Sequence, residues 1–110
     1  MTVKYRIAYT PEAYSDLSDI CSYIAFVLRE KGTASSLIKR IRKEITSLSA
    51  FPESYPAVDW EPWFSVGVRK MPVDHYVVYY LVDGKGRSVT IIRIFYGGRD
   101  VEDIVNTGRD

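Results

Sequence analysis

The side chains most suited to chemistry fall in the C-terminal half: Arg69, Lys70, His75, Arg93, Tyr96 and Arg99. An arginine presents a rigid fork of donors that pairs with phosphate oxygens, and tyrosine or arginine stacks on a splayed base. Histidine moves protons near neutral pH, and His75 is the chain's only one. Together these groups suit metal-free phosphodiester cleavage. That reaction removes a proton from a 2′-hydroxyl, stabilises charge on the phosphorus oxygens and protonates the leaving oxygen. On this reading Arg69, His75, Tyr96 and Arg99 are the catalytic candidates, and Lys70 and Arg93 would bind RNA or another target. Plainer readings stand beside these: Arg69 and Arg99 in surface ion pairs with Asp74 or Asp100, His75 as a structural or solvated residue, and Tyr76, Tyr79 and Tyr80 as core or groove lining.

Composition narrows the field. The chain has 110 residues, enough for one hydrophobic core, and is read as a single domain over 1–110. Its net charge of only +1 argues against nucleic-acid binding by bulk charge. The charge is nevertheless polarised. Residues 64–99 carry Arg69, Lys70, Lys85, Arg87, Arg93 and Arg99 against Asp74 and Asp83, whereas 51–63 carry Glu53, Asp59 and Glu61 with no base. One cysteine, Cys21, forms no internal disulfide, and with one histidine it makes no zinc site. Cys21 reads as a small core residue, and no metal or cofactor is expected. The opening MTVKYRIAYTPEA lacks a signal peptide's apolar stretch, and no run approaches membrane-spanning length, so the expectation is a cytosolic protein without membrane partners.

The elements that would position these groups follow from periodicity. Residues 3–9 alternate, with Val3, Tyr5, Ile7 and Tyr9 on one side, as in a half-buried strand. Thr10-Pro11 ends it and starts a helix, threonine capping and proline taking the first helical position. Ala13, Leu17, Ile20, Ile24 and Val27 make one apolar stripe, which Gly32 is expected to end. Thr33 then caps a second helix with Leu37, Ile41, Ile45 and Leu48 inward and Lys39, Arg40, Arg42 and Lys43 on the solvated back, closed by Phe51-Pro52. Residues 51–63 read as a loop, in which Trp60 and Trp63 either fold back over the core or form a partner patch. Strands are expected at 64–71, 75–82 and 88–95, the second apolar on both faces and joined to the third by the hairpin Asp83-Gly84-Lys85-Gly86. A short helix over 100–106 would follow Gly97-Gly98. The fold class is therefore α+β: a strand, a helical hairpin and a three-stranded antiparallel meander (β-α-α-β-β-β).

With these motifs in this order the chain resembles the RelE/ParE superfamily of bacterial toxins. The resemblance is carried by YRIAYTPEAYSDLSDICSYI, by Phe51-Pro52, by VRKMPVDHYVVYYLVD and by IIRIFYGGRD, and spans essentially the whole chain. It implies a growth-inhibiting toxin of a type II toxin–antitoxin system, wrapped and neutralised by a cognate antitoxin, with operator DNA reached only through that antitoxin. RelE-like members cleave translated mRNA on the ribosome, and ParE-like members poison DNA gyrase. By the resemblance Arg99 matches a C-terminal arginine that stabilises phosphate in the nuclease branch, and Arg69 matches an arginine common to both branches. The chain departs from the nuclease pattern at Tyr76-Val77, where an arginine would follow the tyrosine. Lysines before that strand are reduced to Lys70, and paired histidines are missing. These departures favour the gyrase branch over a ribosome-dependent endoribonuclease. A third possibility is a weakly toxic member that works as an antitoxin-binding, autoregulatory module.

Overall fold

The computed structural model describes residues 4–108. Its elements are β1 (Arg6–Tyr9), α1 (Pro11–Ser22), a π-helical turn (Tyr23–Val27), α2 (Lys31–Ser47), α3 (Trp63–Val66), β2 (Arg69–Val73), β3 (Tyr76–Asp83), β4 (Ser88–Tyr96) and α4 (Val101–Thr107). The sheet order is β1-β4-β3-β2, with β1 parallel to β4 and the other neighbours antiparallel. The expected strand–hairpin–meander order holds, and the sheet is mixed because β1 joins it beside the last strand. Val3 lies outside the described residues.

Thr10 makes the transition from β1 to α1. Its Oγ1 accepts from the Ala13 amide at 3.0 Å and donates to the Ile92 carbonyl at 2.9 Å, so one hydroxyl caps the helix and ties it to β4. Ala13, Leu17 and Ile24 are buried as the stripe predicts. Then the helix widens: the Leu28 amide donates to the Tyr23 carbonyl, one residue further back than in an α-helix. The extra residue rotates the stripe. Ala25 turns inward, and Val27, expected inside, is 65% exposed. The stop also differs from expectation. Arg29 turns the chain in the left-handed region (φ 56°), and Gly32 and Thr33 lie within the first turn of α2. The π-turn brings the chain to its reversal before Gly32, with the Glu30 amide donating to the Ile24 carbonyl.

Leu37, Ile41, Ile45 and Leu48 of the second helix pack with Met71, Val78, Tyr80, Val89, Ile91 and Ile94 of the sheet in the larger of two cores, with Cys21 half-buried at its edge. On the other face, Val58, Val68, Tyr79, Phe95 and Val101 are buried beneath Trp60, Trp63 and Ile104. Strand β3 is thus covered on both faces, as its apolar run requires. The tryptophans stack with ring centroids 5.0 Å apart, and Trp63 lies 5.0 Å from the Tyr79 ring, so they roof the second core. A bulge between Tyr79 and Tyr80 leaves Ile92 without a register partner, which lets Ile91 and Ile94 face the helices while Phe95 faces the tryptophans.

The strand expected at 64–71 begins later. Trp63–Val66 forms a helical turn closed by Gly67 at φ 91°, a conformation that favours glycine, and β2 runs from Arg69 to Val73 through Pro72. Proline is tolerated there because β2 is an edge strand. The loop before it shields that edge, the Val58 amide donating to the Val68 carbonyl at 2.8 Å and the Lys70 amide to the Pro56 carbonyl at 3.1 Å.

The opposite end of the sheet has a different problem. Strand β1 pairs with β4 only as far as Tyr9 and Ile91, leaving the rest of β4 with an open edge. Helix α1 takes over. The buried Asp16 carboxylate accepts from the Ile94 amide at 2.8 Å and receives both Nε (2.8 Å) and an Nη (3.0 Å) of Arg93.

Two stability predictions follow. Asp16→Ala leaves a largely buried guanidinium and a buried amide without their acceptor, which costs about 3 kcal/mol. Asp16→Ala/Arg93→Met should recover a good part of that loss in urea melts, and equal losses for single and double variants would show that the ion pair is not what matters. Tyr80 offers the second test. Burial pushes its hydroxyl up to about 12, against the lowering effect of Arg69, and it donates to the Pro52 carbonyl at 2.8 Å. Because the folded pKa is raised, Tyr80 stabilises fully below pH 10 and loses that effect as pH climbs towards about 12. Tyr80→Phe should cost ~1 kcal/mol at neutral pH and flatten this alkaline decline. An unchanged decline in melts across that range would rule the assignment out.

Candidate functional site

The Asp16 anchor leaves an open groove of about 440 Å³ where the C-terminal half of α1 passes the end of β4. Asp19, Ile20 and Tyr23 of the helical side form one wall. Tyr76 from the start of β3, and Phe95, Tyr96 and Arg99 from the end of β4 and its turn, form the other. The volume is typical of sites that take small ligands or a few side chains, ~300–1,000 Å³.

Tyr76 and Tyr96 meet edge to face with centroids 5.8 Å apart. Burial pushes the Tyr76 hydroxyl above its ordinary pKa, and the neighbouring Tyr96 and Tyr23 hydroxyls push the same way, so it stays protonated at neutral pH. The Arg99 guanidinium lies over the Phe95 ring, 5.3 Å from its centroid, and the Arg99 amide donates to the Tyr96 carbonyl at 3.1 Å. This turn is tight. A Cβ on Gly98 would come within 2.8 Å of the Tyr96 ring, so a side chain there would push the tyrosine out of place.

Of the six side chains singled out from sequence, the groove gathers Tyr96 and Arg99. His75 belongs to the exposed β2–β3 turn and meets this end of the sheet through its backbone, its carbonyl accepting from the Gly97 amide at 2.8 Å. Its imidazole is not part of the lining. Arg93 is held by Asp16 and lies 4.3 Å from the Phe95 centroid, facing a second cleft beside Trp63 and Ile104. Arg69 and Lys70 are on β2, at the far side of β3. Arg69 donates to the Tyr55 carbonyl at 2.6 Å and lies 3.8 Å from the Glu53 carboxylate. The ion pairs suggested for Arg69 with Asp74 or Asp100 are not the ones formed, because Asp74 is taken by Arg40 at 2.6 Å and Asp100 caps α4 at the Asp103 amide. Arg69 and Arg99 therefore do not share the groove.

Asp16, Asp19 and Tyr23 were not singled out from sequence. Their spacing of three and four residues puts them on one helical face, a signal available in the chain but indistinguishable there from an ordinary polar flank. Among the described residues no group of three or more His, Cys, Asp or Glu side chains is placed to hold a metal ion, and no helix is long and apolar enough to cross a membrane. The groove offers aromatic rings, tyrosine hydroxyls, one guanidinium and the Asp19 carboxylate. That set is equipped to bind and orient.

The fold has close counterparts. A chromosomal ParDE toxin–antitoxin structure from P. aeruginosa superposes with a TM-score of 0.68 at 21% identity, covering 84% of this chain and 96% of that one. The RelBE2 toxin–antitoxin complex of Mycobacterium tuberculosis gives 0.66 at 17% identity, with 87% and 94% covered. The archaeal RelE–RelB complex of Pyrococcus horikoshii gives 0.60 at 18% identity, with 90% and 99% covered. At these identities the likeness establishes the fold. No curated protein sequence matches the chain. The family model described as "ParE toxin of type II toxin-antitoxin system, parDE" matches residues 7–101, from β1 to the first residue of α4. The chain belongs to the ParE toxin family of type II toxin–antitoxin systems.

Proposed function

We propose that this protein is a cytosolic growth-inhibiting toxin that acts on DNA gyrase by binding, and that a cognate antitoxin neutralises it. One observation carries the choice of target: two of the three arginines that a nuclease site would draw on are already engaged. Arg93 is chelated by Asp16, and Arg69 by the Tyr55 carbonyl and Glu53. Cleavage needs proton acceptor, proton donor and charge stabiliser converging on one phosphate. Here Arg99 is the guanidinium in the groove, and the His75 imidazole lies outside it. Position 77, where the nuclease pattern places an arginine, is a partly buried valine packed against the second core. Membership of the ParE family supports the same branch. Operator DNA would be contacted through the antitoxin.

A second reading, ribosome-dependent mRNA cleavage, draws its support from Tyr96 and Arg99 meeting in one groove, where a ring and a guanidinium would hold a nucleotide. The two separate cleanly. Purified toxin should abolish gyrase supercoiling, and induced cells should show arrested growth without new mRNA 5′ ends on translated messages. Arg99→Ala should raise the inhibitory concentration by about tenfold or more if this arginine makes a central contact. New 5′ ends with untouched supercoiling would transfer the protein to the nuclease branch. Undisturbed growth on induction without antitoxin would instead mark it as a weakly toxic regulatory member.

A further inference from the structure

The groove's composition says more about its occupant than the family does. The wall formed by the strands is aromatic. Tyr76 and Tyr96 form a near right-angled corner, with their planes at 79°, and Tyr23, 54% exposed, stands across from it on the helical wall. Asp19 stands one turn before Tyr23 on the same wall. Among the described residues the Asp19 side chain makes no hydrogen bond and no ion pair, whereas Asp16, one turn further back, is committed to Arg93. Three tyrosine rings and an uncommitted carboxylate are a set that receives an organic cation: the rings attract it through their quadrupoles and the carboxylate neutralises it.

Resting on the proposed neutralisation by an antitoxin, we propose that this groove is the seat of an arginine or lysine side chain of that antitoxin, enclosed by Tyr23, Tyr76 and Tyr96 and paired with Asp19. Charge placement favours a peptide over a nucleic acid. A phosphate chain laid along the groove to reach Arg99 would pass the free Asp19 carboxylate, a repulsion that a basic side chain turns into attraction. Arg99, on the opposite wall over Phe95, is left for an acidic residue of the same segment. An occupant with a basic residue followed or preceded by an acidic one thus satisfies both walls at once. Seated there, it covers Tyr96 and Arg99, so inhibitor binding and loss of toxicity become one event.

The test uses the full-length toxin and the protein encoded by the small reading frame adjacent to its gene, with affinity measured by calorimetry. Asp19→Lys and Tyr23→Ala alter exposed positions and should fold, as circular dichroism would verify. Each should weaken the complex by about tenfold, and Asp19→Asn by a smaller factor. Lys43→Ala, on the solvated back of α2, should leave affinity unchanged. An antitoxin with its contacting arginine or lysine replaced by glutamate should bind Asp19→Lys better than it binds the wild type. If the wild type binds but Asp19→Lys and Tyr23→Ala stay within about twofold of it, the groove is not the seat, while the toxin reading stands. If a short single-stranded RNA binds the wild type and binds Asp19→Lys more tightly, the site belongs to nucleic acid and the proposal is overturned. If the wild type forms no complex with the adjacent protein, the antitoxin reading itself falls, and this inference with it.

Discussion

The contact on which the rest of the molecule depends is that of the Asp16 carboxylate with the Arg93 guanidinium and the Ile94 amide. Strand β1 is only four residues long, so it cannot satisfy the full edge of the nine-residue β4. An open edge next to a hydrophobic core exposes unpaired amides and invites pairing with other chains. Thr10 and Asp16 solve this from the first turns of α1, one holding the Ile91 and Ile92 carbonyls and the other the Ile94 amide. A buried carboxylate needs a counter-charge, and Arg93, one residue before the amide, supplies it. The same anchor fixes the direction in which α1 leaves the sheet, and so decides that Asp19, Ile20 and Tyr23 stand opposite Tyr96. The groove is a consequence of how the sheet edge was closed.

Much of the scaffold was legible because it rests on local chemistry. Thr10-Pro11, the stripe from Leu37 to Leu48, the Asp83-to-Gly86 turn and the two-sided apolar run of β3 each declare themselves within a few residues. What could not be read depends on partners far apart in sequence. The parallel pairing of β1 with β4 joins residues 6–9 to 88–91, and no periodicity in either strand encodes it. The π-turn at Tyr23–Val27 has no composition of its own, and it alone moves Val27 outward and the helix reversal away from Gly32. Residues 64–66 alternate well enough for a strand, but Gly67 and the packing of Trp63 on Tyr79 draw them into a helical turn.

The site divided along the same line. Tyr96 and Arg99 were legible because a turn rich in glycine at the end of a strand commonly presents its neighbours to solvent. Arg93 and Arg69 carry the same side chain, yet the fold spends them on structure. Arg93 sits opposite an aspartate 77 positions away, and Arg69 is held by carbonyls of a loop that itself closes the sheet's other edge. Residue type marks what a side chain could do, and only its partners decide whether it is available. The helical wall of the groove escaped notice for the converse reason, since Asp19 and Tyr23 resemble any solvated helix flank until Tyr76 and Tyr96 are brought opposite them.

The three-layer arrangement also limits where function can reside. Among the described residues, helices cover one face of the sheet and the tryptophan loop with α4 covers the other. The 56–58 segment also covers the outer side of β2, and α1 covers the stretch of β4 that β1 leaves open. The groove lies at the end of the sheet, where β3 begins, β4 finishes and α1 passes. The aromatic groove at this end carries few charges, and they are of both signs. Chemistry on a phosphate would call for several cations there, and the molecule has used two of its candidates to hold itself together. Arg69 and Arg93 of the sheet are held by structural partners while Arg99 stands in the turn after β4, a division that supports the proposed toxin acting by occupying a surface.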